Sequence, residues 1–293
     1  MRQNKKLKNF GTFLLFGGPT LFIFSAVIVI PFIFGLYLTF TNWSVATGDN
    51  TFVGLGNYVE VFTDDGFLTS FWFTIKYVIA CLIFANLFAF FIALALTSKI
   101  KGQGLLRTGF FTPNLIGGIV LGYLWQILFS RVLPFLGDQY GWAMFEKSWL
   151  GDPDKAFWAL VVATVWQLIG YLVIIYMAGF ASVPKDVLEA ASIDGANYFQ
   201  GLRKIILPLS IPSIIICFFL TITRAFLAYD INLSLTDGGP YNSTQMVSYH
   251  IVQKAFLSND YGAGQAEAIV LFLAVALIAI TQTYILKKRE VEA

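Results

Sequence analysis

Six long apolar runs, at about 12–40, 71–97, 108–129, 156–180, 208–233 and 266–286, constrain this chain more than any other feature. Each reaches the roughly 20 residues that a helix needs to cross a hydrocarbon core of about 30 Å at 1.5 Å per residue. In lipid the backbone finds no water, so a lone spanning segment must satisfy its own N–H and C=O groups as a helix. The runs are continuously apolar and lack the alternation of barrel strands. Gly, Pro, Asn and Asp collect between them, as turns outside a bilayer require. The predicted fold is all-α, a polytopic membrane protein with about six transmembrane helices, the first bent at Pro19 and Pro31. Composition agrees: 57% of the 293 residues are hydrophobic and 12% charged. Soluble domains run at roughly 45–50% and about 25%. An ordinary cytosolic enzyme, a disordered tail and a disulfide scaffold are excluded.

Basic residues orient the spans. With the N-terminus inside, the inner segments hold Arg2, Lys5, Lys6, Lys8, Lys99, Lys101, Arg107, Lys185, Arg203, Lys204, Lys287, Lys288 and Arg289. The outer loops hold Arg131, Lys147, Lys155 and Lys254, and collect the acids Asp49, Glu60, Asp64, Asp65, Asp138, Glu146, Asp152 and Asp154. That asymmetry predicts both termini in the cytoplasm of a plasma or inner membrane. The basic start resembles a signal peptide but lacks a small-residue cleavage pattern, so the first run is read as a retained span. Trp43, Phe71, Trp72, Trp149 and Trp158 fall at the expected interfaces.

Catalytic and metal chemistry find no footing in the sequence. A Gly-x-x-x-x-Gly-Lys-Ser/Thr phosphate loop, Cys-x-x-Cys and His-Glu-x-x-His are all missing. The single histidine, His250, is expected to be a solvated loop residue, and no metal site or catalytic triad is expected. Cys81 and Cys217 sit in apolar runs as small hydrophobes. A net charge of +2 with scattered basic residues gives no case for nucleic acid.

Residues 182–208, between the fourth and fifth runs, read as a helix, a break and a second helix. Ser182 is expected to cap, with Pro184 in the first turn and Asp186 and Glu189 near the positive end. Gly195 permits a turn that a Cβ would resist, and Pro208 marks entry to the next span. Val187, Leu188, Ala190, Ala191 and Ile193 on the first helix, with Tyr198, Phe199, Leu202 and Ile205 on the second, are too apolar for a solvated loop. They demand either a partner surface or the lipid interface.

The spacing Glu189-Ala190-Ala191, Gly195, Ile205, Leu207-Pro208 resembles the EAA loop of importer-type ABC permeases. Chance agreement at those seven positions is on the order of 10⁻⁸ per starting point. Asn57-Tyr58 with Phe62, Phe110-Phe111-x-Pro113 and Leu235-Thr236-x-Gly238-Gly239-Pro240 extend the likeness to the first membrane subunit of sugar importers, which include maltose, multiple-sugar and glycerol-3-phosphate permeases. The resemblance implies a type I ABC importer transmembrane domain over 70–287, preceded by 1–69 (tail, first span and outer loop) and followed by a tail at 288–293. It also implies a second homologous permease, a dimer of ATPase subunits that carries the ATP and Mg, and an external solute-binding protein. This chain itself would hold no cofactor. Glu189, Ala190, Ala191, Asp194 and Gly195 would form the helix that docks into the ATPase. Maltose-type first subunits have additional N-terminal spans and a large external domain that this compact chain lacks.

Polar residues inside spans are costly and mark candidate pathway positions. Thr164, Gln167 and Tyr171 share one helical face by their i, i+3, i+7 spacing, with Trp166 beside them. Hydroxyl-matching and ring-stacking side chains suit a sugar, and the resemblance places a mid-membrane site on this helix and the next. Arg224, Tyr229, Asp230 and Asn232 at the end of the fifth run complete the candidate set. Interhelical hydrogen bonding is the alternative role for all of them. Arg224 keeps a polyol phosphate such as glycerol 3-phosphate open as a substrate. An ion-coupled secondary transporter would need acids at the midplane and an inverted repeat, and neither is evident.

Overall fold

The computed structural model describes residues 2–44, 48, 50–98 and 101–288, without the side chains of 2–11 and 14. Asp49, Lys99, Arg289 and all but the first residue of the tail 288–293 lie outside the described residues. The side chains of Arg2, Lys5, Lys6 and Lys8 do so too.

Helices account for nearly everything described. In chain order they are α1 (Arg2–Phe24), α2 (Ile30–Leu38), α3 (Gly56–Thr63), α4 (Asp65–Thr97), α5 (Gln103–Phe111), α6 (Gly118–Ile127), α7 (Leu133–Tyr140) and α8 (Pro153–Ala181). Then follow α9 (Lys185–Ile193), α10 (Tyr198–Gly201), α11 (Leu207–Leu209), α12 (Ile211–Phe226), α13 (Tyr229–Leu235), α14 (Val247–Val252) and α15 (Tyr261–Lys287). π turns join α1 to α2 and α6 to α7 without ending the rod. Among the described residues, five helices are long and apolar enough to cross a membrane: Leu15–Leu38, Asp65–Thr97, Gly118–Tyr140, Pro153–Ala181 and Tyr261–Lys287. A sixth span arises if the pair Tyr198–Leu209 and Ile211–Phe226, bent by 67°, counts as one. Phe16, Phe22 and Val27 on the first span are 77%, 74% and 66% exposed, the surface that a lipid-facing helix presents.

Two spans depart from the apolar runs that announced them. The third was expected at 108–129, but its membrane-length helix is Gly118–Tyr140, with α5 a separate short helix ahead of it. Pro113 sits in a 3₁₀ turn, and Ile116 and Gly117 are extended (ψ 127° and 143°), so the helix cannot run through. Arg131, expected in a loop, therefore lies on the rod. The fifth was expected at 208–233, but α12 has only 16 residues, ending at a break over Leu227 and Ala228. At its start, Pro212 cannot continue the preceding helix, since its N–H is missing and its ring meets the carbonyl four residues back.

The chain divides into two compact units, Met1–Asp64 with Ile251–Val270, and Asp65–His250 with Leu271–Ala293. In the first, the Asn57 amide donates to the carbonyls of Thr39 (2.9 Å) and Thr41 (2.8 Å), which the end of α2 leaves open. Gly262 lets α15 start against that corner, because a Cβ there would lie 2.1 Å from the Thr41 oxygen. Lys254 Nζ donates to Glu60 at 2.7 Å and Asp64 at 3.2 Å. Burial opposes its charge, but the hydrogen bonds and attraction of the two carboxylates outweigh burial and raise its pKa above the usual lysine value.

In the second unit α4 and α8 pack side by side, and both bury small residues: Ala85, Ala89 and Ala93 on one, Ala156, Ala159 and Ala163 on the other, all fully buried. Small side chains let backbones approach where the hydrophobic effect gives lipid-embedded helices no push. Polar links also join these helices. Tyr77 Oη donates to Thr164 Oγ1 at 2.5 Å, joining α4 to α8. Asn86 accepts from Tyr176 Oη at 2.9 Å and donates to Thr221 Oγ1 at 3.2 Å, tying α4 to α8 and α12. His250 sits on α14 with its ring 6.2 Å from that of Phe67, where the sequence suggested a solvated loop histidine.

Candidate functional site

The break at Leu227–Ala228 borders a cavity of about 290 Å³ that Gly118, the first residue of α6, also lines. Its walls come from α8 (Thr164, Gln167, Leu168), the end of α12 (Thr223, Arg224), the break at Leu227–Ala228, the start of α13 (Asp230, Ile231) and Gly118. That volume is near the low end of the roughly 300–1,000 Å³ typical of small-ligand sites.

Local rules explain why polar groups converge there. Asp230 lies in the first turn of α13 and Arg224 in the last turn of α12, each at the helix end whose partial charge favours it. Gln167 Nε2 donates at 2.9 Å to the Ile116 carbonyl, a group freed where the chain turns from α5 into α6. Arg224 Nη1 donates at 2.8 Å to Asn114 Oδ1 from that same turn, and its guanidinium lies 5.0 Å from the centre of the Tyr171 ring. The cation is thus tethered by an amide and backed by an aromatic face. Gly118 and Gly122 face Asp230 and Ser234, and a Cβ on either glycine would fall within 2.8 Å of those side chains. This close approach of α6 and α13 brings the Asp230 carboxylate beside the cavity. A site with a cation, an anion, an amide and two hydroxyls can bind a hydroxyl-rich or zwitterionic solute through several directed hydrogen bonds.

Of the sequence-derived candidates, Thr164, Gln167, Arg224 and Asp230 line this cavity, and Tyr171 reaches it through Arg224. Three others lie elsewhere. Trp166 is 42% exposed on another face of α8, its ring 5.5 Å from Trp125. Tyr229 packs against Tyr249, ring centres 6.0 Å apart. Asn232 is fully buried and clamps the following loop, donating to Thr244 O (2.9 Å) and Thr236 Oγ1 (3.0 Å) while accepting from Met246 N (2.9 Å). Asn114, the Ile116 carbonyl, Gly118 and Thr223 were not anticipated. Pro113-Asn114 and Gly117-Gly118 were the available signal, since such pairs interrupt a helix inside an apolar run.

The loop at 182–208 forms a helix-turn-helix. Ser182 closes the end of α8 by donating to Gly179 O at 2.7 Å, rather than capping α9, and Pro184 takes the capping position. α9 ends in a Schellman turn: Ala196 N–H bonds Ala191 O at 2.9 Å, and Gly195 N–H bonds Ser192 O at 3.1 Å. Gly195 has φ +80°, which a residue with a Cβ resists. Asn197 and Gln200 then form a capping box that starts α10. Every local bond needed for a fixed bend is made. Glu189, Ala190, Asp194 and Gly195 are exposed and Ala191 is half-buried. Ile193, Phe199 and Tyr198 are 86%, 77% and 65% exposed, an apolar surface outside the bundle.

Comparisons with known proteins agree with this architecture. Residues 85–291 match the family described as binding-protein-dependent transport system inner membrane component. The chain is 40% identical over 293 residues to the "Probable starch degradation products transport system permease protein AmyD" of Thermoanaerobacterium thermosulfurigenes, covering 99% of each. It is 33% identical over 261 residues to the "Multiple sugar-binding transport system permease protein MsmF" of Streptococcus mutans, covering 89% of this chain and 90% of that one. A chain in the crystal structure of a bacterial ABC transporter that imports the acidic polysaccharide alginate superposes with TM-score 0.85, covering 98% of this chain and 99% of that one at 18% identity. That likeness is one of fold.

Proposed function

Because this chain belongs to the family of binding-protein-dependent transport inner membrane components, we propose that it forms, with a second permease, the membrane pathway of an ATP-driven sugar importer. The cavity at the Leu227–Ala228 break carries the reading: Thr164, Gln167, Arg224 and Asp230 offer directed hydrogen bonds inside an apolar bundle. The names of the relatives, which concern starch degradation products and multiple sugars, support a carbohydrate. A solute-binding protein delivers the sugar on the outer face. An ATPase pair, which holds the ATP and Mg, receives the helix-turn-helix at 182–208. Both chain ends then lie on the cytoplasmic side.

The bend at Gly195 suits a transmitting role. A helix fixed by a Schellman turn and a capping box moves as a unit, so displacement of Glu189–Ala191 is carried into α10. The exposed Ile193, Tyr198 and Phe199 supply apolar area for the ATPase cleft. A second reading, a polyol-phosphate importer, is favoured by Arg224, since a tethered guanidinium suits a phosphate. Asp230 beside the same cavity argues for the neutral solute.

The test is uptake by the complete complex in proteoliposomes, with its binding protein outside and ATP within. Uptake of sugars that needs both partners supports the proposal. Selective uptake of glycerol 3-phosphate establishes the second reading. Uptake by this subunit alone, driven by an ion gradient, overturns both.

A further inference from the structure

A second and larger cavity, of about 730 Å³, opens at the end of the bundle where α4 and α8 terminate and α9 begins. Its rim carries two cations, Arg107 on α5 and Lys185 at the start of α9, together with the uncharged polar groups Gln103 and Thr97. Among the described residues, no acidic side chain lines it. Arg107 and Lys185 are both exposed, and neither makes an ion pair among the described residues. Below the rim the wall is hydrocarbon: Leu94 from α4, Ile174, Met177 and Phe180 from α8, and Ile206. Ile174 to Ala181 cover two turns of α8, so this wall descends about 10 Å from the charged rim along the bundle.

Cations above a hydrocarbon wall, at the depth where a span meets its membrane face, match an amphiphile with an anionic head. Free phosphate would satisfy the rim and leave the wall uncovered. A neutral sugar would leave two cations without counter-charge. We propose that this groove is a binding site for one acidic phospholipid, its phosphate held by Arg107 and Lys185 and an acyl chain lying against Leu94, Ile174 and Ile206. The inference rests on reading this face as cytoplasmic, where anionic lipid supplies the attracting surface. Because Lys185 is the first residue of α9, a bound headgroup would tie the coupling loop to the end of the bundle and set the position from which α9 is pushed.

The experiment uses the assembled transporter, extracted from membranes in mild detergent, with retained lipid counted by native mass spectrometry. Nanodiscs of phosphatidylcholine with graded phosphatidylglycerol give the relative affinity. Wild-type complex should retain phosphatidylglycerol in preference to phosphatidylcholine, and millimolar inorganic phosphate should not displace it. Each basic group near a lipid surface raises affinity for anionic lipid about fivefold. The double substitution Arg107→Gln with Lys185→Gln should therefore lower the preference about 25-fold, while Arg107→Lys should largely keep it. Co-purification of the ATPase subunits checks that the variants still assemble. Displacement by inorganic phosphate, or equal retention by wild type and an assembled double variant, overturns the site. Binding-protein-dependent sugar uptake by the wild type remains the separate measure of the transport assignment, so either conclusion can fail without the other.

Discussion

Gly170 is the position where one added methyl should do the most. An ideal Cβ built on it would lie 1.9 Å from the Phe110 carbonyl oxygen, 2.4 Å from its carbon and 2.7 Å from Phe111 Cα. All three are backbone atoms, so no side chain can swing aside. Ordinary contact begins near 3.4 Å, which requires α5 to retreat from α8 by about 1.5 Å. Overpacking of this kind costs roughly 1–3 kcal/mol. The displacement would also carry the turn that follows α5, which holds Asn114 against Arg224 and the Ile116 carbonyl against Gln167. Gly170→Ala should therefore lower stability and change the ranking of transported sugars, although no methyl enters the cavity. Gly109→Ala on α5 is the matched control, since nothing lies within 4 Å of its added Cβ. Denaturant unfolding of the micelle-bound complex gives the stability difference, and uptake across a sugar panel gives the selectivity. If Gly170→Ala unfolds at the same midpoint as Gly109→Ala and ranks sugars as wild type does, the close approach of α5 and α8 is wrong.

Gly195→Leu meets no steric obstacle, because nothing lies within 4 Å, but φ +80° costs a residue with a Cβ about 1–2 kcal/mol. Membrane levels should hold while uptake and substrate-stimulated ATP hydrolysis fall, and normal coupled transport would refute the docking role. Gln167→Leu orphans the Ile116 carbonyl as well as any ligand bond, a loss of about 1–3 kcal/mol, so uptake should drop at least several-fold and unequally among sugars. A uniform drop would make Gln167 a structural tether alone. Tyr171→Ala removes the ring behind the Arg224 guanidinium, and the expected result is weaker discrimination between neutral and anionic solutes, read by competition. Asn232→Ala leaves the Thr244 carbonyl and Met246 N–H without their partner, and should cost stability by about 1–3 kcal/mol with unchanged sugar ranking. Altered ranking would return Asn232 to the pathway.

Membrane class and the location of the bent loop followed from sequence, because both rest on local or additive properties. Twenty consecutive apolar residues can meet lipid only as a helix, wherever the rest of the chain goes. The loop at 182–208 was legible because a Pro184 start, a Gly195 bend and the Asn197–Gln200 box are decided by neighbours a few residues away. Gln167, Arg224 and Asp230 stood out for their cost in a span, yet the same cost flagged Asn232, whose clamp on Thr236 and Thr244 satisfies it locally. Hydropathy could not place the third span, since Pro113 and Gly117 break a run that remains apolar on both sides. Which polar residue faces a ligand and which ties helices together is a tertiary matter. It depends on how near α6 comes to α13 and α5 to α8, and those distances are set by glycines facing backbone or side chains more than fifty positions away.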